Sequence, residues 1–242
     1  MLPIFYKEIR SFFNSLIAYL TIGVFLIASG LFMWVFPDNI LEYGFAEMDI
    51  FFSNAPYIFM FLIPAITMRS FAEENKTGTI ELLITKPLTE LEIILGKYLA
   101  SFALVLFSLI PTLVFYYTLY TLGSPKGNLD TAGIIGSYIG LFFLGGLFAA
   151  LGICASSLFD NQVTAFIVSL FMCYLFYNGF GYLASMNTWG KYTTTVEQLG
   201  IAYHYNSLSK GLIDSKDVIY FLSIIAIALG ATKLSIQSRN WV

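Results

Sequence analysis

The chain has 242 residues, of which 58% are hydrophobic and only 11% are charged, with a mean hydropathy of +0.78. A soluble domain carries roughly 25% charged residues, so this chain cannot cover itself with a solvated surface. Its net charge of −3 excludes the generally basic character of a nucleic-acid-binding protein. The composition therefore predicts an integral membrane protein whose main partner is the lipid bilayer.

Six apolar runs are long enough to cross a bilayer, which needs about 20 residues per helix. Continuous runs without strict alternation indicate helices and exclude the strands of a membrane barrel. The predicted fold is all-α, a single domain over 1–242 with six transmembrane helices, and an even number of spans puts both termini on one side. The runs cover Leu16–Phe36, Ile50–Met68, Tyr98–Leu122, Thr131–Leu158, Val163–Ala184 and Val218–Thr232, and the last could continue past Lys233.

Residues 1–14 precede the first run and have helical periodicity. Apolar residues including Ile4, Ile9 and Phe12 fall on one face, and Lys7 and Arg10 fall elsewhere. This pattern predicts an amphipathic helix lying in the membrane interface. A cleaved signal peptide is the alternative, but the apolar run is longer than such a peptide usually has and favours an uncleaved helix.

Basic residues indicate the orientation of the spans. The N-terminus, the 69–97 segment and the C-terminus hold eight of the twelve Lys and Arg residues, whereas the 37–49 loop has four acidic residues and no basic one. Both termini and the 69–97 segment are therefore expected in the cytoplasm. Lys191, Lys210 and Lys216 fall in the longest external segment, 185–217, where a re-entrant or interfacial helix is possible, and they weaken the bias there.

Several catalytic and metal-binding chemistries find no support in the sequence. Cys154 and Cys173 lie inside predicted spans and outside any CxxC motif, so we interpret them as apolar packing residues. His204 is the only histidine, and a role in the external loop is favoured over catalysis. There is no Walker A motif, and none of the six runs as bounded contains an Asp, Glu, Lys, Arg or His residue. The chain is therefore not expected to be an enzyme or to bind a cofactor or metal, and energy for transport must come from another subunit.

Small residues and prolines inside the spans predict close packing and local irregularity. Gly136 and Gly140 form a GxxxG pair, which could pack helices within the chain or form a dimer face. Pro56, Pro64 and Pro111 are expected to kink their helices. The segment 178–182, with its two glycines, is expected to unwind locally.

The charged 69–97 segment lies between the second and third spans. Gly78 allows a turn, and Thr79 is a candidate N-cap of a short helix through Thr85, with Ile80, Leu83 and Ile84 on one face. Pro87 would end that helix, and Thr89 with Glu92 would start the next with a capping box. The pattern fits a docking surface for a soluble partner, and an ordinary interfacial helix remains the alternative.

These residues resemble the signature of ABC-2-type transporter permeases. The likeness lies in the segment from Glu73 to Leu83, followed by Lys86-Pro87-Leu88 and Gly96-Lys97, and it extends to residues 6–13 and 203–221. Within that family the chain is most similar to the gliding-motility-associated permease subunit of Bacteroidetes-type bacteria.

The resemblance implies a permease of the bacterial inner membrane that works with a cytoplasmic ABC ATPase and a second permease subunit, identical or different. ATP and Mg would be bound by the ATPase. The 77–86 helix would be a coupling helix seated on the ATPase, and 185–217 would cap the outer end of the pathway. The implied ATPase-coupling residues are Glu73, Glu74, Lys76, Thr77, Gly78, Thr79, Ile80, Glu81, Leu83, Ile84 and Lys86.

Two other functions stay open at this point. One is a membrane scaffold that anchors or energises a secretion or motility machine without transporting a substrate. The other is an ATP-independent channel or lipid-handling protein, in which the 69–97 segment would tolerate charge reversal.

Overall fold

The computed structural model describes residues 1–37, 39–79, 88–186, 190–211 and 214–239, and in these ranges the chain is helical with no β-strand. The main helices are α1 (Leu2–Asn14), α2 (Leu16–Trp34), α3 (Ile40–Tyr43), α4 (Asp49–Thr67), α5 (Arg69–Thr77), α6 (Glu90–Leu109), α7 (Leu113–Leu122), α8 (Thr131–Leu158), α9 (Gln162–Tyr174), α10 (Phe180–Ser185), α11 (Thr193–Glu197), α12 (Ile201–Ser209) and α13 (Ser215–Arg239).

Six helical segments of the described chain are long and apolar enough to cross a membrane, which confirms the predicted all-α, six-span fold. The segments are span 1 (Leu16–Trp34), span 2 (Asp49–Thr77), span 3 (Glu90–Leu122), span 4 (Thr131–Leu158), span 5 (Gln162–Ser185) and span 6 (Ser215–Ser238). Their up-and-down order places residues 1–14, 69–79, 88–97 and 235–239 at one end of the bundle. We call this the terminal end, and the opposite one the far end.

The bounds of the spans correct one expectation. Span 2 runs from Asp49 to Thr77, span 3 begins before Lys97 and span 6 begins before Asp217. All three therefore contain charged residues that the shorter apolar runs had left outside. Span 6 also continues past Lys233, as the sequence suggested.

Span 4 lies at the centre of the bundle, and its small residues permit close contacts with its neighbours. A Cβ added at Gly145 would lie 2.8 Å from Val105 Cγ1, and one at Gly146 would lie 3.0 Å from the Tyr98 hydroxyl. These distances are too short for an ordinary side chain, so the glycines of α8 let span 3 approach its backbone. Cys154 and Cys173 are free and buried among these packed helices.

Helix α1 ends at Asn14, and the extended backbone of Ser15 separates it from span 1. The buried side chains of Ile4 and Phe12 hold α1 against the bundle, whereas Leu2 and Tyr6 are exposed. The sequence-predicted helix over residues 1–14 is thus present. Its position in the membrane interface stays a prediction.

The helix kinks predicted at the prolines and the unwinding predicted near residue 178 have different outcomes in the three spans concerned. Span 3 changes to a 3₁₀ turn over Ile110–Thr112, at Pro111, and span 5 contains a π-helical turn over Leu175–Gly179. Helix α4 continues through Pro56 and Pro64. The main interruption of span 2 is instead at Met68, between α4 and α5.

Candidate functional site

Lys97 is a buried lysine in α6, close to the terminal end of span 3. Its side chain is 2% exposed. Its Nζ donates hydrogen bonds to Glu8 Oε1 at 3.0 Å, to Glu74 Oε1 at 2.8 Å and to the carbonyl oxygen of Ser70 at 2.7 Å. Because a lysine ammonium has three hydrogens, every donor of Lys97 is used.

The charges around Lys97 balance one another. Lys7 Nζ lies 3.6 Å from Glu8 Oε1 and 3.4 Å from Glu74 Oε1, so two lysines face two carboxylates. The ring of Phe71 lies 5.1 Å from Lys97 Nζ, within the range of a cation–π contact. A buried charge is tolerated only when it is paired and hydrogen-bonded, and Lys97 meets both conditions.

Glu8, Ser70, Phe71, Glu74 and Lys97, which we call the Lys97 junction, come from three helices. Glu8 belongs to α1, the next three residues belong to α5, and Lys97 belongs to α6. The junction therefore fixes the N-terminal helix, the end of span 2 and the start of span 3 to a single ammonium. Displacement of one of these helices must either move the other two or break charge-assisted hydrogen bonds.

The other side of the 78–89 segment is fixed by the start of α6. Thr89 and Glu92 form the predicted capping box, with Glu92 N–H donating to Thr89 Oγ1 at 3.3 Å and Thr89 N–H donating to Glu92 Oε2 at 3.0 Å. The N-terminal ammonium of Met1 lies 3.3 Å from Glu92 Oε1, which connects α6 to α1 a second time. Gly96 brings the two helices together, since a Cβ there would lie 2.9 Å from Cβ of Ile4.

A hydroxyl group of span 4 bridges the interruption in span 2. Ser156 Oγ accepts hydrogen bonds from the backbone N–H groups of Phe71 at 3.0 Å and Ala72 at 3.1 Å, and it donates to the carbonyl oxygen of Met68 at 2.9 Å. The first N–H groups of a helix lack partners within that helix, and here a residue of another helix supplies them. All the hydrogen-bonding capacity of the Ser156 hydroxyl is used, and it connects α5 to the centre of the bundle.

Of the coupling residues expected from the sequence, those at the end of α5 are described. Glu73 and Lys76 are exposed, and Thr77 Oγ1 donates to the carbonyl oxygen of Glu73 at 2.8 Å. Gly78 has φ +70° and ends the helix in a left-handed turn, as its identity predicts. Glu74 faces the junction rather than solvent, so its carboxylate contributes to the internal charge network.

The remaining predicted coupling residues lie in 80–87, outside the described residues: Ile80, Glu81, Leu83, Ile84 and Lys86. The expected short helix, with Thr79 as its N-cap and its end at Thr85, also falls in residues outside the described ranges, apart from Thr79 itself. Thr79 is exposed, and its Oγ1 is 2.9 Å from Thr77 Oγ1.

Sequence reasoning missed Glu8, Lys97 and Ser156 as a connected site. Lys97 was noted only as part of a Gly-Lys pair, and its two carboxylate partners are 23 and 89 residues away in the chain. A lysine at the very start of a long apolar run was the one available signal, because such a residue needs a partner if it is buried.

Gly136 and Gly140 lie against α12 of the same chain. A Cβ at Gly136 would collide with the carbonyl oxygen of Leu208, and one at Gly140 would lie 3.1 Å from the ring of Tyr205. Helix packing within the chain therefore accounts for this glycine pair, whereas a role in a dimer face is untested.

The far end of the bundle contains a cavity of about 1270 Å³. Aromatic rings, amides and acidic side chains line it, and α12 forms part of its wall. Its lining includes Asp49, Tyr57, Asp130, Tyr177, Asn178 and Tyr205. In the described chain, no group of three or more His, Cys, Asp or Glu residues could hold a metal ion.

A family model described as "ABC-2 family transporter protein" matches residues 5–237. The chain belongs to the ABC-2 transporter family. No curated protein matches it. As an ABC-2 permease it is a multi-pass membrane component that associates with an ABC ATPase subunit and is not itself catalytic.

The two ends of the bundle have different structural features. The terminal end has the Lys97 junction beside the 78–89 segment, and the far end has the cavity. The family match spans both ends and all six spans.

Proposed function

We propose that this chain is the permease subunit of an ATP-driven exporter and that residues 69–97 dock on the ATPase. ATP and Mg would be bound and ATP hydrolysed by that partner. The observation that carries the coupling part of the proposal is the Lys97 junction. It connects both flanks of the 78–89 segment to each other and to α1 through buried, charge-assisted hydrogen bonds.

A force applied to the 78–89 segment has two routes into the membrane. One passes through α5 to Ser156 of span 4, and the other passes through the capping box of Thr89 and Glu92 into span 3. Because Lys97 joins these routes, the ends of spans 2 and 3 would move together. Interfaces of this kind respond to a small push by shifting between discrete arrangements rather than by deforming smoothly.

The surface offered to the ATPase would combine an apolar centre with a charged rim. Ile80, Leu83 and Ile84 would supply the apolar contacts, and Glu73, Lys76, Glu81 and Lys86 would select the partner by charge. Glu74 would act from inside, through Lys97. This division of roles is supported by the exposure of Glu73 and Lys76 and by the burial of the Glu74 contacts.

In this proposal the terminal end faces the cytoplasm of a bacterial inner membrane, as the distribution of Lys and Arg favours. The segment 185–217 would then cap the outer end of the pathway. A second permease subunit, identical or different, would complete the transporter. A role in gliding motility rests on the resemblance of the sequence to gliding-motility-associated permease subunits. Deletion of the gene for this chain, followed by measurement of gliding speed, would test that role.

The experiment compares the co-purification of ATPase with the tagged wild-type chain and with Leu83→Asp. The introduced carboxylate would be desolvated in an apolar contact, so we expect loss of the ATPase while the chain still inserts into the membrane. Leu2→Asp is the control, because Leu2 is also exposed at the terminal end but lies in α1, outside residues 69–97. Normal co-purification of the Leu83→Asp variant would contradict the docking assignment.

A further inference from the structure

His204 and Asp217 form a buried pair at the far end of the bundle. His204 Nδ1 lies 2.6 Å from Asp217 Oδ1, and His204 Nε2 lies 2.8 Å from the carbonyl oxygen of Gln198. The side chains are 11% and 6% exposed. The ring of Tyr220 stacks on the imidazole, with 3.8 Å between the ring centroids.

Both ring nitrogens of His204 can be hydrogen-bonded only if the pair holds one proton more than a neutral imidazole and an ionised carboxylate hold together. Both ring nitrogens of His204 face oxygen atoms, and a carbonyl oxygen can only accept. A neutral ring has a single N–H, so it can serve either Gln198 or Asp217 but not both. Both hydrogen bonds form when an extra proton lies between Nδ1 and Oδ1, whichever of the two atoms carries it.

The pair also holds two elements together. Asp217 and Tyr220 belong to span 6, whereas Gln198, Leu199 and His204 belong to the turn before α12 and to α12 itself. The Tyr220 hydroxyl donates to the carbonyl oxygen of Leu199 at 2.6 Å, close to the contact of His204. Span 6 therefore contacts α12 and the preceding turn at two adjacent points. Among the described residues, His204 is the only titratable side chain that joins the turn to Asp217.

The other charged side chains around the pair do not donate a hydrogen bond to Asp217 in place of His204. Glu197, Lys210, Asp214 and Lys216 flank it on the same elements, and Asp130 lies at the start of α8, against which α12 packs. All five are exposed. Among the described ion pairs, Asp217 is joined only to His204, and its Oδ2 is buried with no hydrogen-bond partner. A buried carboxylate in these surroundings depends on the imidazole for its stability.

We propose that His204 and Asp217 are a proton-binding site that latches α12 and its preceding turn to span 6. With the proton bound, both hydrogen bonds of His204 form and the latch is closed. Loss of the proton leaves either Asp217 or the carbonyl of Gln198 without a donor, so the latch opens as the pH rises. Since α12 forms part of the wall of the far-end cavity, the proton controls the mobility of that wall. The proposal is independent of ATPase docking.

The test is hydrogen exchange of the backbone amides of residues 198–204 in the purified protein, in nanodiscs with any subunits that co-purify. Wild type is compared with Asp217→Asn from about pH 6 to about pH 9. The amide that replaces the carboxylate can donate to Nδ1 of a neutral imidazole, which leaves Nε2–H for Gln198, so this latch needs no extra proton. The monitored residues are identical in both proteins, so the ratio of their exchange rates cancels the ordinary effect of pH on exchange.

We expect the ratio of the wild-type rate to the Asp217→Asn rate to be constant at the acid end. It should rise by up to about tenfold per pH unit where the open form has lost the extra proton and the closed pair still holds it. Asp130→Asn, which neutralises an exposed carboxylate at the same end, should behave as wild type. A ratio that stays constant over the range would overturn the proposal, because a merely structural contact has no reason to respond to pH differently from the amide variant. His204→Ala should exchange rapidly at every pH if it folds, but the comparison with Asp217→Asn does not need it.

Discussion

The ammonium of Lys97 lies 2.8 Å from the carboxylate of Glu74, although 23 residues separate them and a charged segment lies between. This contact closes the base of the 69–97 segment at the point where spans 2 and 3 reach the terminal end. It converts the two flanks of the segment into one unit. If the ATPase docks on residues 69–97 as proposed, its movement would reach spans 2 and 3 through this unit.

Lys97→Met tests the strength of the junction. The substitution leaves the carboxylates of Glu8 and Glu74 in a partly buried site without their shared ammonium. Breaking a buried ion pair typically costs about 3–5 kcal/mol, and we expect the lower part of that range here because Lys7 stays nearby. Thermal unfolding of the purified protein measures the loss.

Lys7→Met is the matched control for that prediction. Lys7 contacts the same two carboxylates but its side chain is 57% exposed, so we expect a cost below about 1 kcal/mol. Equal effects of the two substitutions would show that the burial of Lys97 contributes nothing.

Ser156→Ala should weaken the connection between α5 and span 4. The change removes the acceptor of two backbone N–H groups, those of Phe71 and Ala72, and the donor to the Met68 carbonyl. Each buried group left without a partner costs about 1–3 kcal/mol, unless the helix shifts to find another. Hydrogen exchange at residues 71 and 72 should accelerate at least tenfold.

Ser157→Ala serves as the comparison for Ser156→Ala. Ser157 is equally buried and adjacent, but its hydroxyl donates only to the carbonyl oxygen of Cys154 in its own helix. We expect no change in exchange at residues 71 and 72. Similar exchange in both variants would contradict the bridging role of Ser156.

Gly152→Ala should disturb the crossing of spans 2 and 4. A Cβ at this position would collide with Thr67 Oγ1, and Thr67 is fully buried. Overpacking of this kind costs about 1–3 kcal/mol, which a lower unfolding temperature would reveal. Gly230→Ala is the control, since a Cβ at Gly230 meets no atom within 4 Å, and its effect should be negligible.

Gly96→Ala should push α1 away from span 3, because the new Cβ would meet Ile4 at 2.9 Å. Ile4→Gly removes both the Cβ and the Cγ2 that the new methyl group would meet, so it should partly restore the contact. The double variant should therefore lose about 0.5–3 kcal/mol less stability than the two single variants lose in total. Strict additivity would mean that the two positions do not meet.

The features that the sequence predicted correctly depend on local chemistry. The six spans follow from continuous apolar runs, the capping box from Thr89 and Glu92, and the turn at Gly78 from a residue without a Cβ. Each of these signals lies within a few residues of the structure it specifies. The propensities that produce them operate without the rest of the fold.

The features that the sequence did not reveal depend on contacts between distant residues. Glu8 and Lys97 are 89 residues apart, and nothing in the neighbourhood of either residue specifies the other. His204 is interpreted from the sequence as a residue of the external loop, and nothing near it in the chain indicates its contact with Asp217. Ser156 lies in an apolar run, and no local sequence pattern indicates its contacts with α5. Only the packing of the bundle gives these three residues their roles.

Mass spectrometry of the complex that co-purifies with the tagged chain from its native membrane tests the central claim most directly. The account predicts recovery of a Walker-A-containing ATPase with the wild-type chain and its loss with Leu83→Asp. A second, different permease in the same complex would show that the transporter is a heterodimer. Repeated isolation of the chain without any ATPase, under conditions that preserve other ABC complexes, would contradict the assignment of residues 69–97 as the docking segment.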